Sequence, residues 1–227
     1  MKKILLISSL LIANSFVFAQ KSAVIEAFKK YNISTIILDS NAKKNAESYA
    51  FTIKSTLVTE GQKKVSDGKY DPAKNGTDRW ELISVNGGNP SKKDRNAFNK
   101  EHNQQIPIAM ANQDSYKVLK DDSDYLVVSY YYDTATLVPD NMFMKDFPVV
   151  LYINKKTGRL ERSEVVSPES FKVKIFRADY MNANTTFVYI EKTNQYLPLK
   201  EEISMSIRIL GRSAEIITIN EYSDYKK

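Results

Sequence analysis

One histidine, no cysteine and a short run of aspartates are what this chain has for catalytic or metal chemistry. His102 lies in Lys100-Glu101-His102-Asn103-Gln104. A hydrolytic triad needs an imidazole as general base, beside an activated hydroxyl and an orienting acid. At the end of a polar helical stretch the ring instead favours the helix C-terminus electrostatically. His102 is therefore read as a surface residue whose loss costs little. One histidine without a thiol makes a poor zinc site, since such sites draw several ligands from those two types. Asp121-Asp122-Ser123-Asp124 carries part of a calcium loop's pattern but lacks its glycine and closing glutamate. It reads as a solvated hairpin turn. Paired glycosidase acids need only closeness in space, and nothing local supports them. The expectation is a chain without catalytic residues, metal or cofactor, and not an enzyme.

The remaining candidates are apolar. Trp80, the sole tryptophan, sits among strand residues and is either a core or rim anchor or a ligand contact. Tyr130-Tyr131-Tyr132 sends alternate rings to opposite faces of a strand. Asn141-Met142-Phe143-Met144, between Pro139 and Pro148, places bulky side chains in a segment that reads as a loop. Loops normally face water, so such residues need a partner. A lid over a cavity and plain core packing both satisfy that need. The candidate ligand contacts are Phe51, Ile53, Trp80, Met142 and Phe143.

The chain that must position them begins with a secretory signal. Met1-Lys2-Lys3 is basic, Ile4 to Val17 is apolar, and Val17-Phe18-Ala19 is a small-residue cleavage site before Gln20. The run is too short and wrongly flanked for a spanning helix. Residues 1–19 are read as a signal peptide and residues 20–227 as a single domain, periplasmic or secreted. The full chain has 227 residues and a formal net charge of +6. Removing nineteen residues that include two lysines leaves 208 residues at +4, with both signs interspersed. Lys92-Lys93 with Arg95 is diluted by Asp94, so there is no phosphate-tracking stripe and no nucleic-acid partner is expected. Without disulfides the core must hold the fold unaided.

Val24, Ile25, Phe28 and Tyr31 follow a 3.6-residue period, which predicts an amphipathic helix from about Ser22 that breaks and resumes near Ser34. From Phe51 the period changes to two. Strands are expected around Phe51–Leu57, up to Tyr70, and over Arg79–Val85 before Asn86-Gly87-Gly88-Asn89-Pro90. Ser91 to Asp94 is a capping-box variant opening a polar surface helix to about His102, anchored by Phe98. Beyond Tyr116 strands are expected over 125–132, 148–153, 160–166, 171–177, 186–192, 202–210 and 216–222. Turns at 154–158, 182–184, 194–198 and 211–213 separate the later ones. Val149 to Ile153 and Tyr125 to Tyr130 are apolar at both parities, implying burial of both faces. The fold class is α+β, mainly β: a curved antiparallel sheet, a half-barrel or open barrel, with an N-terminal helix and one short surface helix.

Tyr70-Asp71-Pro72, then Arg79-Trp80-Glu81-Leu82-Ile83-Ser84-Val85-Asn86-Gly87, then Pro90 and a charged helix, resembles the signature of a group of exported bacterial proteins. That group looks like a distant relative of the periplasmic carriers of outer-membrane lipoproteins, the LolA-like family. The ending Glu221-Tyr222-Ser223-Asp224-Tyr225 is similar to the last strand of that family. The resemblance implies a helix-capped incomplete barrel over most of residues 20–227, with a concave apolar face able to hold acyl chains. The expected function is an exported soluble binding protein that carries or shields a hydrophobic small molecule or lipid in the bacterial periplasm. The alternative is a sensor or interaction module for an envelope protein, using an exposed sheet edge.

Overall fold

The computed structural model describes residues 21–38, 46–103, 107–173, 175–209 and 212–227. The expected signal peptide, residues 1–19, lies outside them. Helix α1 spans 21–30. Val24 and Phe28, one turn apart, are both fully buried. Asn32 ends the helix in the left-handed conformation, φ 54°. The amide of Ile33 reaches back to the carbonyl of Phe28 at 2.8 Å, and that of Asn32 to Lys29 at 3.2 Å. This is the Schellman arrangement, and it satisfies carbonyls that the helix end would leave unbonded. The helix resumes as a short 3-10 turn over Thr35–Leu38.

The strands are β1 (Ala50–Thr59), β2 (Gln62–Tyr70), β3 (Trp80–Val85), β4 (Lys117–Asp121), β5 (Tyr125–Tyr130), β6 (Val149–Asn154), β7 (Arg159–Val166), β8 (Phe171–Val173), β9 (Phe176–Ile190), β10 (Gln195–Ile209) and β11 (Arg212–Lys226). Helix α2 (Lys92–His102) lies between β3 and β4 in the chain. The strands form one antiparallel sheet in the order β3-β2-β1-β11-β10-β9-β7-β6-β5-β4, with β8 paired to β9. The sheet is open, and β3 and β4 are its two ends.

Side chains opposite each other across a ladder share a face, so register traces one surface from end to end. Leu126 opposes Ile153, Val149 opposes Val165, and Val165 opposes Ala183. The row continues through Ile203 and Thr218 to Leu57. Two rows along, Tyr222 opposes Ile53, Ile53 opposes Gly68, and Gly68 opposes Leu82. Both helices pack on this inner face. Val24 and Phe28 join Tyr116, Leu126, Val128, Leu151 and Ile153 in the larger core, while Phe98 of α2 joins Phe51, Ile53, Tyr70 and Leu82 in a smaller one. The α+β half-barrel with its helix on the concave side is thus the observed fold.

Four local expectations differ from the structure. Asn182-Ala183-Asn184 is not a turn but the interior of the 15-residue β9. Bonded on one side to β7 and on the other to β10, that backbone is satisfied as strand despite its turn-forming residues. The break expected over 194–198 is confined to a turn ending at Asn194, φ 52°, and Pro198 lies inside β10 beside a bulge. A bulge is where a strand tolerates the missing proline donor. The stretch 171–177 is not one strand, because β8 ends at Val173 and β9 begins at Phe176 as its hairpin partner. Finally, β6 is fully buried on one face only: Val149, Leu151 and Ile153 are buried, whereas Val150 and Tyr152 are half-exposed. The Tyr152 ring is covered by the Arg162 guanidinium at 3.5 Å, and its hydroxyl donates to Glu164 at 2.7 Å.

The aspartate run is a hairpin turn in which lysines meet two of the three carboxylates. Asp121 accepts from Lys155 at 2.7 Å, from Tyr31 at 2.8 Å and from Lys30 at 3.3 Å. The contact to Lys155, then that to Tyr31, holds its pKa at about 2, below the ordinary 3.8. Lys120 at 2.6 Å, and then the amides of Tyr125 and Asp124, hold Asp122 well below the carboxylate range. Folding therefore favours the ionised Asp121. Its stabilising contribution is whole above about pH 4 and disappears as pH falls towards 2. Asp121→Asn is expected to flatten the fall in thermal midpoint across that window relative to the parent. An unchanged acid limb in the variant would remove this cluster from the account of acid stability.

Candidate functional site

Two tight turns build the walls of the inner face near α2. Glu60 and Gly61, at φ 50° and 77°, join β1 to β2 as a two-residue hairpin with Thr59 opposite Gln62. Asn86 and Gly87 repeat that conformation at the end of β3, φ 49° and 76°. The Asn86 side chain also accepts from the amide of Val65 at 2.8 Å. These turns set the register that lines up Phe51, Tyr70 and Trp80 across three adjacent strands. Phe51 stacks on Tyr70 at 5.1 Å between centroids and meets Trp80 edge-on at 5.6 Å. From the other side Tyr222 meets Phe51 at 5.7 Å.

Helix α2 covers one edge of this aromatic floor. Its start is secured by the capping box: the Asp94 amide donates to the Ser91 hydroxyl, and the Ser91 amide to the Asp94 carboxylate. Phe98 lies over Gly68, where a Cβ would come within 2.5 Å of the ring's Cζ. His102 is not the outward-facing helix end expected of it. Its ring stacks on Phe98 at 3.9 Å and meets Trp80 at a tilt, 4.6 Å between centroids, and its Nδ1 lies 2.9 Å from the Phe98 carbonyl. It is half-buried because the last turn of the helix rests on the tryptophan.

Between these walls lies a cavity of about 630 Å3, lined by Phe51, Ile53, Tyr70, Trp80 and Tyr222 with Arg79, His102 and Glu201 among its polar residues. Glu201, only 9% exposed, accepts from the Tyr222 hydroxyl at 2.7 Å. Burial, and then the neighbouring Glu201 carboxylate, push the Tyr222 hydroxyl far above its ordinary pKa, so it stays a donor. Burial likewise raises Tyr70, against the opposing pull of Arg79. The arrangement is a ring-floored depression of mixed character, with Glu47, Arg79, Asn103, Glu201 and Asn220 in its lining beside the aromatic residues. It can hold an apolar body and leave a polar end near Arg79 or Glu47, which are exposed.

The structure divides the five candidate contacts. Phe51, Ile53 and Trp80 line this cavity together. Met142 and Phe143 do not close over it. They belong to a 3-10 helix, Pro139–Asp146, and border a second cavity of about 490 Å3 with Phe147, Phe171 and Lys172. Phe143 stacks on Phe171 at 5.0 Å, which ties the segment to the larger core. Tyr70, Tyr222 and Glu201 are lining residues that sequence reasoning did not single out, and His102, expected on the surface, lines the cavity with them. Tyr70 was within reach, because a two-residue turn at Glu60-Gly61 places it opposite Phe51. Among the described residues no cluster of three or more His, Cys, Asp or Glu could hold a metal ion. No helix among them is long and apolar enough to cross a membrane.

Fold and site define an open, helix-capped half-barrel with an aromatic cavity on its inner face. No protein-family profile matches the chain, and no curated protein sequence does. In structure it is similar to a LolA superfamily protein from Nitrosomonas europaea, at 10% identity over 84% of this chain and 90% of that one, with a TM-score of 0.38. The architecture stands on strand order and register.

Proposed function

We propose that the protein is an exported binder that carries or shields a hydrophobic ligand, a lipid or acyl chain, in the bacterial periplasm. Residues 1–19 serve as the signal peptide and residues 20–227 as one half-barrel domain, with no catalytic step. The observation that carries this reading is the cavity of about 630 Å3 floored by Phe51, Ile53, Tyr70, Trp80 and Tyr222. Its volume falls in the range of ligand sites, about 300–1,000 Å3. Phe51, Ile53 and Trp80 are the proposed contacts, while Met142 and Phe143 would touch only a ligand held in the second cavity. Burying about 400 Å2 of acyl chain releases roughly 10 kcal/mol. After an association cost of at least about 4 kcal/mol, affinity of the order of tens of micromolar remains.

Trp80 gives the test its signal. Titration with fatty acids and phospholipids is expected to shift its emission to the blue, saturating in the tens-of-micromolar range, and an organic extract of the purified protein should contain lipid by mass spectrometry. Unchanged emission together with a lipid-free extract would overturn the reading. The second reading, a module for an envelope protein, would then take its place. It is favoured by edge strand β4, whose five residues are all exposed, Leu119 at 54%. Strand addition there would be seen as crosslinks from a photoreactive residue at position 119.

A further inference from the structure

Two features with an energetic cost coincide at one end of the sheet, away from the aromatic cavity. The first is a row of like charges. Lys172 on β8 opposes Arg177 on β9, and Arg177 opposes Arg208 on β10, so three cations stand side by side on adjacent strands. Like charges placed directly opposite in a ladder destabilise it. Arg212 opens β11 opposite Ile209, one position past the Arg208–Ser213 pair and therefore on the other face of the same strand ends. Asp179 answers only part of this charge, through its 2.9 Å pair with Arg208. All four cations are exposed.

The second feature is apolar. Ile175, at the tip of the β8–β9 hairpin, is 89% exposed, more than any other large apolar residue among those described, and Phe176 beside it is also exposed. A hairpin tip has free choice of polar residues, and this one carries neither charge nor hydroxyl at those two positions. Locally unfavourable choices that persist tend to mark functional surfaces.

We infer that this end of the sheet docks on an anionic lipid bilayer, with Ile175 and Phe176 entering the interface while Lys172, Arg177, Arg208 and Arg212 lie against headgroup phosphates. Apolar side chains rimmed by cations match the two zones of a membrane surface, hydrocarbon below and negative charge above. The inference is independent of what the aromatic cavity holds.

The test is co-sedimentation of the protein, purified from the exporting host, with vesicles of phosphatidylglycerol and phosphatidylethanolamine, compared with phosphatidylcholine alone. Binding is expected to the anionic vesicles and to weaken with salt. Each cation near a surface contributes about a fivefold factor, so Lys172→Gln with Arg177→Gln should weaken it about 25-fold. Ile175→Asp should weaken it about tenfold or more without changing the circular dichroism spectrum, since the side chain packs on nothing. Equal binding to neutral and anionic vesicles would overturn the inference. So would an Ile175→Asp variant that sediments like the parent, or binding to a DNA duplex but not to vesicles.

Discussion

Replacing Gly68 by valine is expected to lift helix α2 from the sheet. The backbone of Gly68 is in a conformation any residue adopts, so the effect is steric. A Cβ there meets Phe98 Cζ at 2.5 Å, Phe98 Cε2 at 3.2 Å and Ile53 Cγ2 at 3.3 Å. The ring can yield only by moving the helix that carries it, because on its far side it is held by His102 and Trp80. Overpacking of this kind costs about 1–3 kcal/mol. The loss should be read both as a lower thermal midpoint and as a red shift of Trp80 emission, since Trp80 loses the cover of Phe98 and His102. Ligand binding at the aromatic cavity should weaken in the same variant. The decisive comparison is a double-mutant cycle with Phe98→Leu, whose shorter side chain makes room. A coupling of about 1 kcal/mol or more between the two positions is expected. If the substitutions instead add independently, the clash is not with Phe98 and the seating of α2 over Gly68 is wrong.

Phe28→Ala should be the more damaging substitution for the molecule as a whole. Phe28 is fully buried, and its helix joins the strands of the larger core through it and Val24. Truncating a buried phenylalanine costs about 3–5 kcal/mol. Against a total of about 5–15 kcal/mol for an ordinary domain, that is a large share of the stability. At roughly 2–4 °C per kcal/mol for a domain of this size, the midpoint should fall by about 6–20 °C. Phe28→Leu, which keeps most of the volume, should cost less than half as much. The carbonyl of Phe28 also receives the amide of Ile33, but that bond is made by backbone and survives the substitution. A midpoint within a degree or two of the parent in Phe28→Ala would mean that α1 does not hold the inner face together.

Sequence patterning reached those parts of the fold whose causes are local. The amphipathic period of α1, the change to period two at Phe51, the Asn86-Gly87 turn and the Ser91–Asp94 box each act over a few residues, and each is where it was expected. What escaped depends on partners distant in the chain. Asn182 and Asn184 prefer turns when alone, and only β7 and β10 on either side make them strand. The site shows the same division. Phe51 and Trp80 lie on strands that a short stretch of chain can bring together, whereas Tyr222 and Glu201 reach them only because β11 pairs with β1. His102 looked like a surface residue because Trp80, whose ring it also meets, sits on another element. Met142 and Phe143 looked available for a lid because nothing near them in sequence predicts Phe171 as their cover.

The pairing of β1 with β11 also bears on the order of assembly. Lys54 opposes Glu221 and Ile53 opposes Tyr222, so the strand that begins the sheet is completed by the one made last. A chain that becomes available N-terminus first can form the β1–β2–β3 hairpins with α2, and separately α1 with β4 to β10, before β11 is free to pair. The two halves then wait, each with an unpaired edge and with Phe51 and Trp80 uncovered, until the final strand is free. Contacts of such long sequence separation make folding slow, and open edges invite aggregation in the interval. Folding should therefore finish only once β11 has paired with β1, and variants that weaken β11 should accumulate as two half-sheets rather than as a frayed native state.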